Sequence, residues 1–465
     1  MRSNWFVQCG VMVSFLLGVT VTTTNELPAS QTPAQNPATP GEATIRQPPP
    51  DPVIVQLVSR LDFDQYKATI KGLTQFGDRR QGTKRNRDAV DWIEAQLKGY
   101  GCTNTERITY TYTTPPPRGG GAGGRTGAPP PAQGEPVRTG PGGSTEFGFR
   151  AATGVYQPPQ PGADTNPAAG RGASNDPVGR LPPPNLDPRL RALNAEPATD
   201  GPRQEVYCTK IGTTHPDEMY ILGGHMDGHG WGEAANDDGS GAALVMQLAR
   251  VFSSPDVQTE RSVRFILWNN EETGLNGARA YVEQRNPLQG KEDPAGSGKY
   301  PEPKWLGMIQ HDMMLWDHGM PIPLLDAAGN QVKDAQGRPV FVAPKNQRPE
   351  ADVNVEFQSM SKMTEGSEKL AWVLKSANDR YATDYPAQVG PHMTNTDSGP
   401  FQDLVPAVSL RENERGRDIQ AGWDPNWHQP SDVYTTYSDK DFKLGLNAAQ
   451  TTLAAIAQLT GAKIK

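Results

Sequence analysis

Three short apolar runs in the sequence end directly at side chains that can bind a metal ion or transfer a proton. The run "YILGG" leads into His225 and Asp227, "RFILWNN" leads into Glu271 and Glu272, and "LGMIQH" leads into Asp312. Runs of this length and composition are typical of buried strands. Because the carboxyl ends of parallel strands meet at one edge of a sheet, we expect these side chains to converge there.

Two further segments add residues of the same chemical type. The glycine-rich stretch "ANDDGSG" contains Asp237, and "HQPSD" contains His428 followed by Asp432. Imidazole nitrogens and carboxylate oxygens are suitable ligands for zinc. Asp227 lies two residues after His225 and would face the same way in an extended chain, so it can orient that histidine. The combined pattern predicts a zinc site at the sheet edge.

The elements that must position these residues alternate between strands and helices. Strand patterns are found at 106–113, 219–224, 263–268, 305–310 and 406–410. Helical spacing is found at 51–76, 83–101, 239–252, 275–284, 367–381 and 441–459. Short apolar strands separated by amphipathic helices favour an α/β fold with a mostly parallel sheet and helices on both faces.

Other kinds of site fit these motifs less well. The stretch "NDDGSG" lacks the glutamate that ends a twelve-residue calcium loop, and no G-x-S-x-G nucleophile motif surrounds Ser240. Gly119, Gly121 and Gly124 form a formal G-x-G-x-x-G, but no buried strand precedes them and no helix follows. We therefore attribute those glycines to low complexity and predict no dinucleotide site.

Taken together, the motifs resemble those of the co-catalytic two-zinc aminopeptidases, a family that includes secreted bacterial aminopeptidases, glutamate carboxypeptidase and the glutaminyl cyclases. The matching segments are "GGHMDG", "ANDDGSG", "WNNEETGLNGARAYV", "IQHDMM", "TDSGPFQDLVPAVSL" and "HQPSD". The resemblance covers roughly residues 53–114 and 202–465. It implies a three-layer zinc-exopeptidase fold with a mixed, mostly parallel central sheet.

The resemblance also implies two zinc ions per chain and a role for each residue at the site. The implied metal ligands are His225 and Asp312 for one zinc ion, Glu272 and His428 for the other, and Asp237 as the bridge between them. Glu271 would be the general base, and Asp227 would assist catalysis by orienting its neighbours. The family pattern further implies a cis peptide bond between Asp237 and Asp238.

The chain departs from its relatives beside the last histidine. Some relatives have a tyrosine there that can stabilise an oxyanion, whereas this chain has Trp427, which can donate only through its indole nitrogen. The oxyanion donor is therefore left open. We exclude two other histidines from the ligand set: His229 as a loop residue, and His311 because it would point away from Asp312 on an extended strand.

Composition and the N-terminal sequence suggest an exported protein with long irregular segments. Glycine (49 residues) and proline (44) make up about a fifth of the 465 residues. We predict a signal peptide at 1–25, a Pro-rich linker at 26–52 and a peptidase domain at 53–465, interrupted by a Pro/Gly-rich insertion at 115–201. A second insert is expected at 318–350. An oxidising compartment would permit a disulfide between Cys102 and Cys208, but the sequence leaves that pairing open.

The sequence thus predicts an exported zinc aminopeptidase, periplasmic or secreted, that acts on peptides. The net charge of −7 comes without a basic stripe, which argues against nucleic-acid binding, and no stable membrane insertion is expected after signal cleavage. A glutamate-type carboxypeptidase or dipeptidase is the alternative, since Arg411, Arg415 and Arg417 could bind a substrate carboxylate. A glutaminyl cyclase or a non-enzymatic binding ectodomain fits less well, and the oligomeric state is left open.

Overall fold

The computed structural model describes most of the predicted peptidase domain. The described residues are 49–114, 187–229, 231–316, 322–333, 341–342, 353–390, 396–412, 424 and 426–465. The predicted signal peptide, the linker up to residue 48, residues 115–186 of the insertion and most of the 318–350 insert lie outside them, as do Arg415 and Arg417. The elements below belong to one unit, residues 50–465.

Helices and strands alternate along much of this unit. The helices are α1 (Pro52–Val58), α2 (Phe63–Thr74), α3 (Lys84–Gly99), α4 (Pro188–Asn194), α5 (Gly239–Phe252), α6 (Asn276–Arg285), α7 (Thr364–Tyr381) and α8 (Asp439–Thr460). The strands are β1 (Thr105–Tyr112), β2 (Gly201–Lys210), β3 (His215–His225), β4 (Val257–Gln258), β5 (Arg261–Trp268), β6 (Lys304–His311), β7 (Ile322–Pro323), β8 (Phe341–Val342), β9 (Val353–Phe357), β10 (Ala387–Gly390), β11 (Ala407–Arg411) and β12 (Lys463–Ile464).

Eight of the strands form one mixed sheet in the order β1-β2-β5-β3-β6-β11-β9-β10. Its centre is parallel: β5, β3, β6 and β11 run in the same direction as their neighbours in that group. Strands β1 and β2 are antiparallel additions at one side, and β9 is antiparallel to β11 at the other. The predicted mixed, mostly parallel sheet is confirmed.

The two faces of the sheet bury different side chains. In β5, Val263, Phe265 and Leu267 belong to a large core that also contains the buried residues of α2, α5 and α8. Ile266 and Trp268, which alternate with them, belong to a smaller core shared with α6. This alternation follows from the two-residue period of a strand and produces the predicted three layers, with helices on both faces.

Helix N-terminal caps fix where the main helices begin. Asp51 and Thr83 accept backbone N–H bonds at the starts of α1 and α3, and Ser438 forms a capping box with Asp441 at the start of α8. Asp238 caps α5 by accepting from the backbone N–H of Gly241. Side-chain caps satisfy donors that a helix leaves unpaired. The cap of α5 therefore places the start of a buried helix next to Asp237.

The segment predicted as an insertion is joined to the domain at neighbouring points. Tyr112 at the end of β1 lies opposite Gly201 at the start of β2. Residues 188–194, inside the predicted insertion, form helix α4, which Asp187 caps and which buries Leu190. Sequence reasoning missed this helix because only seven residues show its pattern.

Cys102 and Cys208 form a disulfide with a Cα–Cα separation of 6.1 Å. The pairing depends on β1 lying beside β2, which places Thr105 opposite Cys208. This strand pairing could not be seen in the sequence.

Among the described residues, none of the helices is both long and apolar enough to cross a membrane.

Candidate active site

The strand register brings three of the predicted site segments to one edge of the sheet. His225 at the end of β3 lies opposite Trp268 at the end of β5, and Gly224 lies opposite His311 at the end of β6. The chain leaving β5 therefore enters the site within three residues, at Glu271, and the chain leaving β6 enters it at once.

The structure brings all five predicted metal ligands together. His225 Nε2 is 3.3 Å from Asp237 Oδ1 and 3.9 Å from Asp312 Oδ1. His428 Nε2 is 3.0 Å from both Asp237 Oδ2 and Glu272 Oε2. Each oxygen of Asp237 thus faces a different histidine, which is the arrangement a bridging carboxylate requires.

Glu271 lies beside this group. Single ligand atoms of His225, Glu271 and Asp312 all lie within 4.8 Å of one another, and so do those of His225, Asp237 and Glu272. The two adjacent glutamates therefore both reach the cluster. Glu272 is within hydrogen-bonding distance of His428, which leaves Glu271 as the carboxylate on the side of His225 and Asp312.

Asp227 orients both glutamates through the backbone. Its Oδ1 accepts a hydrogen bond from the Glu271 backbone N–H at 3.0 Å, and its Oδ2 accepts one from the Glu272 backbone N–H at 3.4 Å. The backbone carbonyl of Asp227 lies 2.9 Å from His225 Nδ1, which directs Nε2 of that ring toward Asp237. Asp227 is completely buried, so it acts on the site only through these neighbours.

A fixed cation stabilises the charge of Asp312. Arg411, at the end of β11, donates from Nη2 to Asp312 Oδ2 at 2.7 Å, and both side chains are buried. Burial opposes ionisation, but Arg411 and His225 outweigh it and lower the pKa of Asp312. Arg411 is one of the three arginines that the alternative carboxypeptidase hypothesis offered for binding a substrate carboxylate, and the structure places it on a predicted ligand instead.

The pKa values of His428 and Glu271 reflect burial and the carboxylates crowded around them. Burial opposes the imidazolium form of His428, but Glu272 and Asp237 outweigh burial and raise its pKa to about 9. Burial raises the pKa of Glu271 well above its usual value, and the charges of Glu272, Asp312 and Asp237 add to this effect. Carboxylates thus crowd around the two histidines, and bound cations would favour the ionised form of these carboxylates.

The donor set fits zinc. It consists of two imidazole nitrogens and carboxylate oxygens, and one buried oxygen, Oε1 of Glu272, has no hydrogen-bond partner among the described residues. An unsatisfied buried carboxylate oxygen is costly unless a cation or donor approaches it. The peptide bond between Asp237 and Asp238 is cis, as the family pattern implied.

His311 lies away from the cluster, whereas His229 and Trp427 lie beside His428. His311 is buried, with Nδ1 3.0 Å from the carbonyl oxygen of Gly223 and Nε2 2.8 Å from Thr452 Oγ1, so it points away from the cluster. The His229 ring centroid lies 5.3 Å from that of His428. Trp427 stacks on His428 with centroids 4.0 Å apart and so supports that ring.

Several residues beside the cluster have positive φ angles that non-glycine residues rarely adopt. They include Asn270 (66°), Met313 (62°) and His428 itself (55°). Asn270 precedes Glu271 and Met313 follows Asp312, so the positive φ angles occur directly beside two residues of the cluster. Such conformations cost on the order of 1 kcal/mol or more each and are commonly retained at functional sites.

Sequence reasoning missed several residues that hold the site loops. Buried Arg79 donates to the carbonyl oxygens of Met226, Glu233 and Ala234. Asp432, noted only as a neighbour of His428, accepts from the backbone N–H groups of Asn236 and Asp237. The signal for Arg79 in the sequence is weak, because an arginine in "FGDRRQG" reads as a surface loop residue.

Comparisons with known proteins show which proteins this chain resembles. The model of peptidase family M28 matches residues 206–321. Carboxypeptidase Q of Xenopus laevis is 33% identical over 73 residues, 16% of this chain and 16% of its own length. The probable lipoprotein aminopeptidase LpqL of Mycobacterium tuberculosis is 26% identical over 273 residues, 57% of this chain and 47% of its own length. Each alignment thus covers less than half of the relative.

The fold is also shared with a solved structure. The aminopeptidase from Aneurinibacillus sp. strain AM-1 superposes with a TM-score of 0.50 at 19% identity, covering 89% of this chain and 97% of the other. At this identity the likeness concerns the fold alone. The family match falls on the segment that contains His225, Asp237, Glu271, Glu272 and Asp312. Across residues 206–321, the chain is thus similar to peptidase family M28.

Proposed function

We propose that this protein is a zinc-dependent aminopeptidase that hydrolyses the N-terminal peptide bond of its substrates. The observation that carries the proposal is the position of Asp237, which faces His225 with one carboxylate oxygen and His428 with the other. Two zinc ions would be held by His225 and Asp312 on one side, by Glu272 and His428 on the other, and by Asp237 between them. When bound, such ions lower the pKa of a water molecule and polarise the scissile carbonyl.

Glu271 performs the proton transfers in this mechanism. Its carboxylate accepts a proton from the attacking water and returns it to the amine that leaves when the peptide bond breaks. Burial and neighbouring carboxylates raise its pKa, which favours a group able to hold that proton between the two steps. Asp227 keeps Glu271 in place through the backbone N–H that it accepts.

An aminopeptidase is favoured over a carboxypeptidase by the surroundings of Arg411. A carboxypeptidase needs a cation that can reach the substrate carboxylate, but the guanidinium of Arg411, the one of the three candidate arginines that lies within the described residues, is buried against Asp312. The aminopeptidase LpqL shows a longer alignment with this chain than carboxypeptidase Q does.

We also propose that the protein is exported. The apolar run at 11–21 after a basic residue supports a signal peptide, and one relative is named a probable lipoprotein. The disulfide between Cys102 and Cys208 is expected in an oxidising compartment. Sequencing the N-terminus of the mature protein from a cell fraction outside the cytoplasm would test this.

The activity is tested with aminoacyl p-nitroanilides. We expect hydrolysis that a chelator abolishes and added zinc restores. Glu271→Gln should lower kcat by a factor of about 10² to 10⁴ while the protein keeps its zinc, because only the proton acceptor is lost. Full turnover by metal-stripped protein, or by Glu271→Gln, would show that the proposed mechanism is wrong.

The direction of cleavage is tested with a peptide library. Digestion followed by mass spectrometry should yield products shortened from the N-terminus, and N-acetylated peptides should resist cleavage. Shortening from the C-terminus would instead identify a carboxypeptidase on the same site. The same spectra would reveal the preference for the N-terminal side chain.

A further inference from the structure

A buried asparagine, Asn236, lies beside the bridging carboxylate and contacts three other parts of the chain. Its side-chain Nδ2 donates to Glu412 Oε1 and Oε2 at 3.1 and 3.0 Å, and to Asp424 Oδ2 at 2.9 Å. Its Oδ1 accepts from the backbone N–H of Leu315 at 2.9 Å. Asn236 is wholly buried, so none of these bonds can be replaced by bulk water.

Asn236 itself adjoins a proposed ligand, and two of its contacts, Leu315 and Asp424, lie a few residues from two others. Asn236 precedes Asp237, Leu315 lies three residues after Asp312, and Asp424 lies four residues before His428. The amide of Asn236 therefore touches the segments that carry three of the five ligands, and these three serve both zinc positions.

The other two ligands are held differently. His225 ends β3, and its backbone N–H donates to Asp238. Glu272 follows β5, and its backbone N–H donates to Asp227. Each proposed zinc position thus combines one ligand whose backbone N–H donates to a buried aspartate with one ligand whose segment contacts Asn236.

Hydroxyl and amide donors, rather than cations, hold the cluster around Asn236. Glu412 Oε2 also accepts from the backbone N–H groups of Leu315 and Trp316 at 2.8 and 2.7 Å. The hydroxyl of Tyr437 lies 2.8 Å from Asp424 Oδ2 and 3.0 Å from Asp432 Oδ1. Among the described residues, no Lys, Arg or His forms an ion pair with Glu412, Asp424 or Asp432. Losing one neutral donor therefore removes part of what stabilises a buried carboxylate, and no cation among the described residues replaces it.

We propose that Asn236 is a positioning residue that sets the spacing of the two proposed zinc positions by joining the segments of Asp237, Asp312 and His428. This inference rests on the proposed function. Asn236 is too buried to touch a substrate, and it acts only through the segments it connects. Partners that orient metal ligands commonly change metal affinity about 10- to 100-fold when they are removed.

The test compares two buried asparagines. Asn378 in α7 is also buried and makes three bonds, to the carbonyl oxygen of Tyr385, to Thr451 Oγ1 and from the backbone N–H of Ala387. No ligand lies on these partners. Asn236→Ala and Asn378→Ala each remove one buried amide from the full chain. Zinc affinity is measured on metal-stripped folded protein by competition with a chromogenic chelator, and melting temperature by circular dichroism.

We expect both variants to melt at a lower temperature, but only Asn236→Ala to bind zinc about 10- to 100-fold more weakly. Tyr437→Phe, which removes only the hydroxyl shared by Asp424 and Asp432, should weaken zinc binding to a smaller extent. If Asn236→Ala does not fold, Tyr437→Phe decides the question. Zinc affinity equal to that of Asn378→Ala in the folded variants would overturn the inference.

The readout is separate from peptidase activity. A wild-type protein that binds zinc but cleaves no peptide would refute the proposed function and leave the affinity comparison valid. Conversely, active wild-type protein with unchanged zinc affinity in Asn236→Ala would refute only the positioning role.

Discussion

Replacing Asp227 with asparagine tests how the two glutamates are held. The carboxylate of Asp227 accepts from the backbone N–H of Glu271 at 3.0 Å and from that of Glu272 at 3.4 Å. An asparagine has one carbonyl oxygen, so it can keep only one of these bonds, and its NH₂ group then faces the other N–H. The substitution preserves size, so cavity formation does not contribute.

The expected effect follows from the lost hydrogen bond. A bond to a charged acceptor contributes about 1.5–3 kcal/mol. If most of this energy positions Glu271 in the transition state, kcat falls roughly 10- to 100-fold, since about 1.4 kcal/mol corresponds to a factor of ten. Because Asp227 is fully buried and cannot touch substrate, KM should change by less than about threefold.

The assay measures kcat and KM with an aminoacyl p-nitroanilide, together with the zinc content of each preparation. Asp62→Asn is the matched control, because it changes an acid that accepts one backbone N–H at the start of α2, a helix without ligands. Asp227→Asn with kcat within about twofold of wild type and full zinc would refute the positioning role of this carboxylate.

Three other perturbations address stability. Arg411→Met should lower the free energy of unfolding by about 3 kcal/mol, because it leaves Asp312 as a buried charge without its arginine partner. Urea titration of the metal-free protein measures this free energy, and a loss under about 1 kcal/mol would contradict the prediction. Burial lowers the pKa of His311 to about 4, so the unfolded chain takes up its proton first, and stability present above about pH 6.5 should fall by roughly 3 kcal/mol as pH drops toward 4. If His311→Asn shows the same fall in stability with pH, His311 is not the cause of that fall. Replacing Cys102 and Cys208 with serine should cost about 2–5 kcal/mol of stability with kcat unchanged, and an unaltered melting temperature would argue against the bond.

The fold and the position of the candidate site were predictable because the candidate site residues come at or just after the ends of strands in the sequence. His225, Glu271 and Asp312 each come at or shortly after the end of an apolar run, and parallel strands end at the same edge. The three-layer α/β fold follows from the same alternation of strands and helices. These inferences needed only the spacing of apolar residues along the chain, because each strand or helix pattern lies within one continuous segment.

What could not be predicted depends on contacts between distant segments. Asn236 meets Glu412 and Asp424 across 176 and 188 residues, and neither acid stands in a recognisable motif. Arg411 was one of three arginines considered for the alternative carboxypeptidase function, yet the register of β11 beside β6 places it on Asp312. The pairing of strands, rather than the composition of either, decides such contacts.

The disulfide between Cys102 and Cys208 encloses the whole segment from 115 to 186, which leaves the sheet after β1 and returns before β2. A protease that cut any bond in that segment would produce two fragments that remain one molecule until the disulfide is reduced. The five proposed ligands would all remain on the C-terminal fragment, still joined to the helices α1 to α3.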